Sequence, residues 1–350
     1  MDFGINADFT VAQNGTHQAA FREALEEVDL AEEMGLDTIW LGEAHFRPNR
    51  SVLAAPIVVA SSIATRTKRL RVGMAVQVLP MIHPLRIAEE AATVDQLSEG
   101  RFEFGVGRSG NVRAYDIMGI DYSESKERFQ EALDIIQQAW SGETFSYEGK
   151  YNHITNATVS PLPYQKPHPK IRIAASSDDS FGRIGRLGYP IFLGLRAMDV
   201  EDLKSNLQEY RDEWKKAGHP GDGGDINVRF PMYIAPSDEE AIEEPQGSIE
   251  AFFQRQREFL DYSRGRAGTQ DAIVRQARID RLANISYEDL LQTRVVFGSP
   301  EHVRDRLVQF QEMLGITGIT AELNPGGFLP KEAVRRSLKL LTQEVMPAFK

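Results

Sequence analysis

Apolar residues along this chain fall into two periods that take turns. Short runs dense in β-branched and aromatic residues are followed by longer stretches in which apolar positions recur every three or four residues, the pattern of strands alternating with amphipathic helices. DFGI opens the series, and a helix is predicted near 18–35, where Phe21, Leu25, Val28 and Ala31 share a face. TIWL at 38–41 and a helix near 54–65 repeat the beat. LRVGMAVQVL at 70–79 is the third strand, followed by a helix from Pro84 to Ser98 that carries Ile87, Ala91, Val94 and Leu97. Pro84 suits its first turn and Gly100 its stop. FEFGVG at 102–107 reads as the fourth strand and 123–141 as the next helix. After a polar, turn-rich stretch come KIRIAAS at 170–176, a helix near 179–187, YPIFLG at 189–194 and a helix over 199–217. The loop GHPGDGGD at 218–225 leads into INVRFPMYIA at 226–235; ITGITAEL at 316–323 and a helix near 331–346 close the series.

Eight such beats match a (β/α)8 TIM barrel better than the runner-up, a doubly wound sheet in two lobes. RVGMAVQVL and IRIAA are near-continuous apolar runs, as parallel strands covered on both faces require. The span from about 237 to 296 is too long for a simple connection and is polar and helical in pattern. We read residues 1–350 as a single barrel domain, with that span as a helical or irregular insertion between strands seven and eight.

Composition narrows the chemistry. Forty Lys and Arg stand against 51 Asp and Glu, a net charge of -11 that repels phosphate backbones and anionic lipid surfaces, so nucleic acid is not an expected partner. No apolar run approaches the roughly 18 residues of a membrane span, and MDFGINADFT lacks the basic start of a signal peptide. A cytoplasmic protein is expected. The chain has no cysteine, which removes disulfides, thiolate metal sites and cysteine nucleophiles, so redox chemistry requires a bound cofactor. HExxH, Walker, GxSxG and EF-hand patterns are missing, and no metal site is expected.

Gly105, Gly107 and Gly110 spell G-x-G-x-x-G after the fourth strand. A dinucleotide fingerprint needs a helix to open at the third glycine and an acid about 20 residues on, at the end of a second strand. The sequence after Gly110 defers the next helix to about 123, and Glu127 and Glu131 lie inside it. The run has two other readings: small residues that let a ligand approach the backbone, with Arg108 as a phosphate fork, or a tight turn with a solvated arginine.

Barrel chemistry gathers at the C-terminal ends of strands. Strand two ends in GEAHF, with Glu43 beside His45, a residue that titrates near neutrality and suits proton transfer, or else packs structurally. His83, before a proline, reads as a residue that starts a helix. After strand five, Ser176, Ser177 and Ser180 gather hydroxyls and backbone N–H groups for an anion, unless Ser177, Asp178 or Asp179 only caps the helix. Asp178 and Asp179 would repel a phosphate if they faced it. The acidic run DEEAIEEPQG at 238–247 reads as a solvated face. Ala88, Ala91 and Ala92 allow close helix approach, across a dimer or against the barrel.

Taken together, WLGEAHF, VGMAVQVLPMIHPLRIAEEAATVDQLSEGRFEFGVGRSG and FGSPEHVRDRLVQF…GITGITAELNPGG resemble the bacterial-luciferase-like family of flavin-dependent monooxygenases. The resemblance runs over residues 1–235 and from about 296 onward. It implies a (β/α)8 barrel, a homodimer, reduced FMN supplied by a separate flavin reductase, O2 as co-substrate and a small organic substrate. It assigns Arg108, Ser176, Ser177 and Ser180 to the FMN phosphate. Ala75–Val76 becomes a non-prolyl cis peptide against the flavin ring, and Glu43 and His45 line the active site as its catalytic pair. Val106 stands where luciferases carry a reactive cysteine facing the flavin. Ala44 replaces the first of their two consecutive histidines, which argues against light emission. The loop at 7–15 and the insertion, which shape substrate choice, match least. Two alternatives accompany this reading: hydride transfer with a deazaflavin, and a catalytically silent flavin-binding partner subunit.

Overall fold

Eight parallel strands close on one another in the computed structural model, which describes residues 1–7, 9–12, 15–195, 198, 200–262, 276–277, 279–282 and 285–350. They are β1 (Asp2–Asn6), β2 (Thr38–Leu41), β3 (Arg71–Met74), β4 (Phe102–Gly107), β5 (Lys170–Ala174), β6 (Ile191–Gly194), β7 (Ile226–Ile234) and β8 (Gly318–Glu322). Each pairs with the next, and β8 returns to β1 through a register running from Asp2↔Gly318 to Ile5↔Ala321, so the barrel has no free edge. Helices α1 (His17–Glu33), α2 (Pro56–Arg66), α3 (Pro84–Leu97), α4 (Val112–Met118), α5 (Ser125–Ala139), α6 (Asp178–Leu187) and α7 (Val200–Lys216) lie between strands. The insertion contributes α8 (Asp238–Glu243), α9 (Gln246–Tyr262) and α10 (Tyr287–Thr293); α11 (Pro300–Leu314) and α12 (Lys331–Leu340) complete the outer ring.

Four expectations change. The strand at 70–79 is broken: β3 ends at Met74, the Ala75–Val76 peptide is cis, and only Gln77–Val78 resumes pairing, against Val106 and Gly107. Hydrophobicity runs unbroken through this bend because both sides of it are buried. A helix, α4, starts two residues after Gly110, capped by Asn111, whose side chain accepts the Ala114 N–H; it is too short to carry a sequence period. The polar stretch before β5 holds an antiparallel hairpin, Phe145–Glu148 with His153–Ala157. The acidic run at 238–247 is more than a solvated face: Glu244 accepts from Tyr233 and Arg336, and Asp238 accepts the Ser299 N–H at 2.6 Å. Burial alone would raise the Glu244 pKa, but Tyr233 and Arg336 outweigh it and hold it below the ordinary value.

Strand alternation sorts the barrel interior. Inward positions carry Asp2, Gly4, Asn6, Thr38, Trp40, Arg71, Gly73, Glu103, Arg172, Phe192, Asn227, Arg229 and Glu322, a polar set with one large ring at its centre. The N-terminal end is shut by charge: Glu103 takes Arg71 at 2.6 Å and Arg172 at 3.4 Å, and Arg71 also pairs with Asp2. Burial alone would lower the Arg71 pKa; Glu103 and Asp2 outweigh it and hold it above its ordinary value. Trp40 fills the middle, in space that two glycines leave open. A Cβ on Gly4 would stand 2.7 Å from its indole nitrogen, and one on Gly73 2.4 Å from its ring. Gly73→Ala is therefore expected to lower unfolding stability by about 1–3 kcal/mol through overpacking, read from the urea midpoint.

The same alternation corrects one site residue. Phe104 points outward to Trp140, the C-cap residue of α5, with ring centroids 5.4 Å apart, and Val106 follows it two positions on, fully buried beneath the helices. Val106 therefore does not face the mouth; inward-facing Gly107 does. Ala88, Ala91 and Ala92 are all fully buried within the chain, and the Ala88 carbonyl accepts the Trp140 indole N–H at 3.0 Å, so they pack against this molecule's own helices.

The insertion carries its own apolar cluster, in which Tyr233, Phe252, Phe253, Val295 and Phe297 meet. A short strand, Val296–Gly298, extends it alongside the outer half of β7. Residues 263–275, 278 and 283–284 of the insertion, and Asp8, Gln13 and Asn14 of the 7–15 loop, lie outside the described residues.

Candidate active site

Glu43 follows β2 at the C-terminal mouth and is nearly buried, with 5% of its side chain exposed. Its Oε1 meets His45 Nε2 at 2.6 Å, and its Oε2 accepts from the Gln77 amide and from the Val78 N–H at 2.9 Å. A carboxylate against Nε2 favours the tautomer with the proton on that nitrogen, leaving Nδ1 as the other face of the ring. Asn111 donates to the His45 carbonyl at 3.1 Å and so ties this loop to the glycine run. The two expected residues are brought together, but unequally: Glu43 borders the cavity described next, and His45 stands behind it. His83 precedes α3 and makes no capping bond with its side chain.

Two adjoining cavities, of about 260 and 250 Å³, occupy the mouth. Both are lined by Ala75, Val76, Arg229, Gln256 and Phe259. The Ala75–Val76 peptide forms the floor. Gly107 makes room for it, since a Cβ there would lie 2.7 Å from Val76 Cγ2. Ala174, Ala175 and Phe192 form one wall, with Phe192 packed on Trp40 at 5.2 Å between centroids. The roof is α9, from which Gln256 and Phe259, three residues apart and so on one face, reach down. Nothing in the periodicity of the insertion marked these two residues.

Ser176 lines the second cavity, and beyond it lies a cationic, hydroxyl-rich end where α6 begins. Arg108 donates to Ser125 Oγ at 3.3 Å, and its carbonyl is pinned by the Tyr115 hydroxyl of α4, a tyrosine whose pKa burial pushes up. Arg183, on α6, is its electrostatic neighbour: burial first, and Arg108 second, pull the Arg183 pKa down. Two guanidiniums that repel across a half-buried space are a setting for an anion. The adjacent aspartates turn aside, Asp178 accepting from Asn206 of α7 at 3.0 Å and Asp179 pairing with Lys126 at 2.7 Å. Burial would raise the Asp179 pKa, but Lys126, Ser177 and Arg108 outweigh it and hold it low. Ser177 occupies the N-cap position of α6 without capping it, and its buried hydroxyl forms no well-aligned hydrogen bond. Ser180 is different: it is buried and donates to the Ser177 carbonyl at 2.5 Å, so its proton is committed within the helix turn. Arg183, Ser125 and Lys126 were not legible as site residues; the available signal was Arg183 lying three residues after Ser180 on one helix face.

Opposite this end, Glu322 closes β8 with its side chain fully buried between two arginines, Arg50 at 2.8 Å and Arg229 at 2.6 Å. The sequence signal was a lone carboxylate ending the uncharged run GITA.

This geometry agrees with what comparison finds. Residues 1–317 match the family described as luciferase-like monooxygenase. The chain belongs to that family. Among its relatives is the oxygenase component of flavin-dependent trigonelline monooxygenase from Acinetobacter baylyi, 26% identical over 353 residues, covering 97% of this chain and 92% of the relative. Limonene 1,2-monooxygenase from Rhodococcus erythropolis is 25% identical over 356 residues, covering 99% and 88%. In fold, the luciferase-like barrel described here superposes on the FMN complex of the oxygenating constituent of 3,6-diketocamphane monooxygenase from Pseudomonas putida. The TM-score is 0.82 at 21% identity, covering 99% and 98% of the two chains.

FMN is the group that the family implies, and the mouth fits it in two respects. The floor peptide is flanked by the small side chains of Ala174 and Ala175, which leave a flat ring room above it. The phosphate end offers two arginines that repel each other across a half-buried space, with Asp179, the carboxylate near both, paired to Lys126, and the buried Ser177 hydroxyl beside them.

Proposed function

We propose that this luciferase-like monooxygenase is the oxygenase component of a two-component system. It takes reduced FMN from a separate flavin reductase and uses O2 to oxidise a small organic substrate. The observation that carries this reading is the cavity between the Ala75–Val76 floor and the α9 roof, opening at Ser176 onto the Arg108–Arg183 end. Bound reduced FMN supplies two electrons, so that one oxygen atom enters the product and the other leaves as water. Arg108, Arg183, Ser176 and Ser177 bind the phosphate. Val76, Ala174 and Phe192 offer the ring an apolar surface, and Phe259 with Gln256 excludes water from above. Glu43, held by His45, holds or delivers a proton at the cavity wall.

The test is rapid mixing. Chemically reduced FMN is bound anaerobically, oxygenated buffer is added, and the return of oxidised-flavin absorbance is followed. The protein is expected to delay that return well beyond the rate for free reduced FMN. Reoxidation at the free rate with FMN bound points to the silent subunit; binding of a deazaflavin in place of FMN points to hydride transfer.

A further inference from the structure

Above the mouth lies a third cavity, of about 400 Å³, between the 46–50 loop, the start of α4 and the end of α9. Four arginines line it, Arg47, Arg50, Arg113 and Arg255, against one carboxylate, Glu258, with Phe259 as an aromatic wall. The arginines are not equally occupied. Arg50 is paired with Glu322. Arg255 donates to the carbonyls of Asn49, at 2.6 Å, and Gly326, which orient it without neutralising its charge. The Arg47 side chain forms no hydrogen bond or ion pair among the described residues; its guanidinium lies over the Phe259 ring, 4.5 Å from the centroid. Burial, with Arg50 and Arg255 beside it, outweighs the opposite pull of Glu258 and brings the Arg47 pKa down to about 10, so it is still charged at neutral pH.

Arg47 also lines the cavity over Ala75–Val76, where Phe259 is again a wall. One side chain thus presents a cation with no ion-pair partner among the described residues to a ligand whose body would extend toward the floor peptide. A half-buried guanidinium without a paired carboxylate is costly, and a planar anion that meets it in two parallel hydrogen bonds relieves that cost. We propose that Arg47 is a specificity-determining residue that takes the carboxylate of an anionic substrate with an apolar body, seated against Phe259. The position of this subsite rests on the flavin reading above; its charge preference does not.

The experiment uses benzoate and its neutral isostere benzamide as probes, titrated calorimetrically into the wild-type chain and into Arg47→Met and Arg47→Lys. Wild type is expected to favour benzoate by about tenfold, the scale of one charged contact. Arg47→Met should erase the preference while retaining much of the packing on Phe259, and Arg47→Lys should restore part of it. Equal binding of the two probes, no benzoate binding at millimolar concentration, or a preference that survives in Arg47→Met would each overturn the proposal. Quenching of FMN fluorescence, measured on the same samples, separates the two readings. If wild type fails to bind FMN yet keeps the benzoate preference, the flavin reading falls and the anion subsite stands.

Discussion

Replacing Arg108 with alanine is expected to weaken FMN binding by about 10- to 100-fold, the range that a charged hydrogen bond worth roughly 1.5–3 kcal/mol implies. Arg108 is held in place from both ends: Tyr115 fixes its carbonyl and Ser125 its guanidinium. Its removal therefore leaves a hole with few side chains free to swing in and substitute. Arg183→Ala should cost less, because Arg108 then loses its repulsive neighbour while one cation is lost to the phosphate. Titration of FMN fluorescence measures both. If riboflavin, which has no phosphate, lost affinity equally in Arg108→Ala, the arginine would be acting on the ring or on the fold, and its assignment to the phosphate would fail.

The second large effect is expected at Glu43. Glu43→Gln keeps the shape and removes the charge, and it should lower turnover by about 10²–10⁴, the usual contribution of a positioned acid or base. FMN affinity should stay nearly unchanged. His45→Ala should lower turnover by a smaller factor, because His45 reaches the cavity only through the 2.6 Å contact to Glu43. The double variant should then resemble Glu43→Gln alone, since the two residues act as one unit. Equal losses that multiply in the double variant would show two independent roles, and unchanged turnover in both single variants would leave the pair with structure alone.

Much of the barrel was legible because parallel strands buried on two faces write themselves as dense apolar runs, and their covering helices as 3.6-residue periods. TIWL and FEFGVG match β2 and β4 residue for residue. Side-chain direction was less accessible. Val106 and Gly107 are neighbours in the sequence, and only the pairing of β4 with its partners tells which one looks into the mouth. Expected residues at strand ends, Glu43, Arg108 and Ser176, gather at the mouth because barrel topology delivers them there. Arg183, Gln256, Phe259 and Arg47 come from helices and a loop, where a polar residue looks the same whether it faces solvent or a ligand. The break after Met74 and the short α4 escaped for a simpler reason: neither is long enough to complete a period.

The roof of the cavity stands on different ground from its floor. Gln256 and Phe259 belong to a helix anchored in the insertion's own apolar cluster, set on the outer half of β7, whereas Ala75, Val76 and Gly107 are built into the closed barrel. Changes that reshape the roof need not disturb the packing that holds the strands together. Selection can therefore alter what the pocket admits while leaving intact the part that would hold the cofactor, an arrangement that lets one chemistry spread over many substrates in descendants of a single barrel.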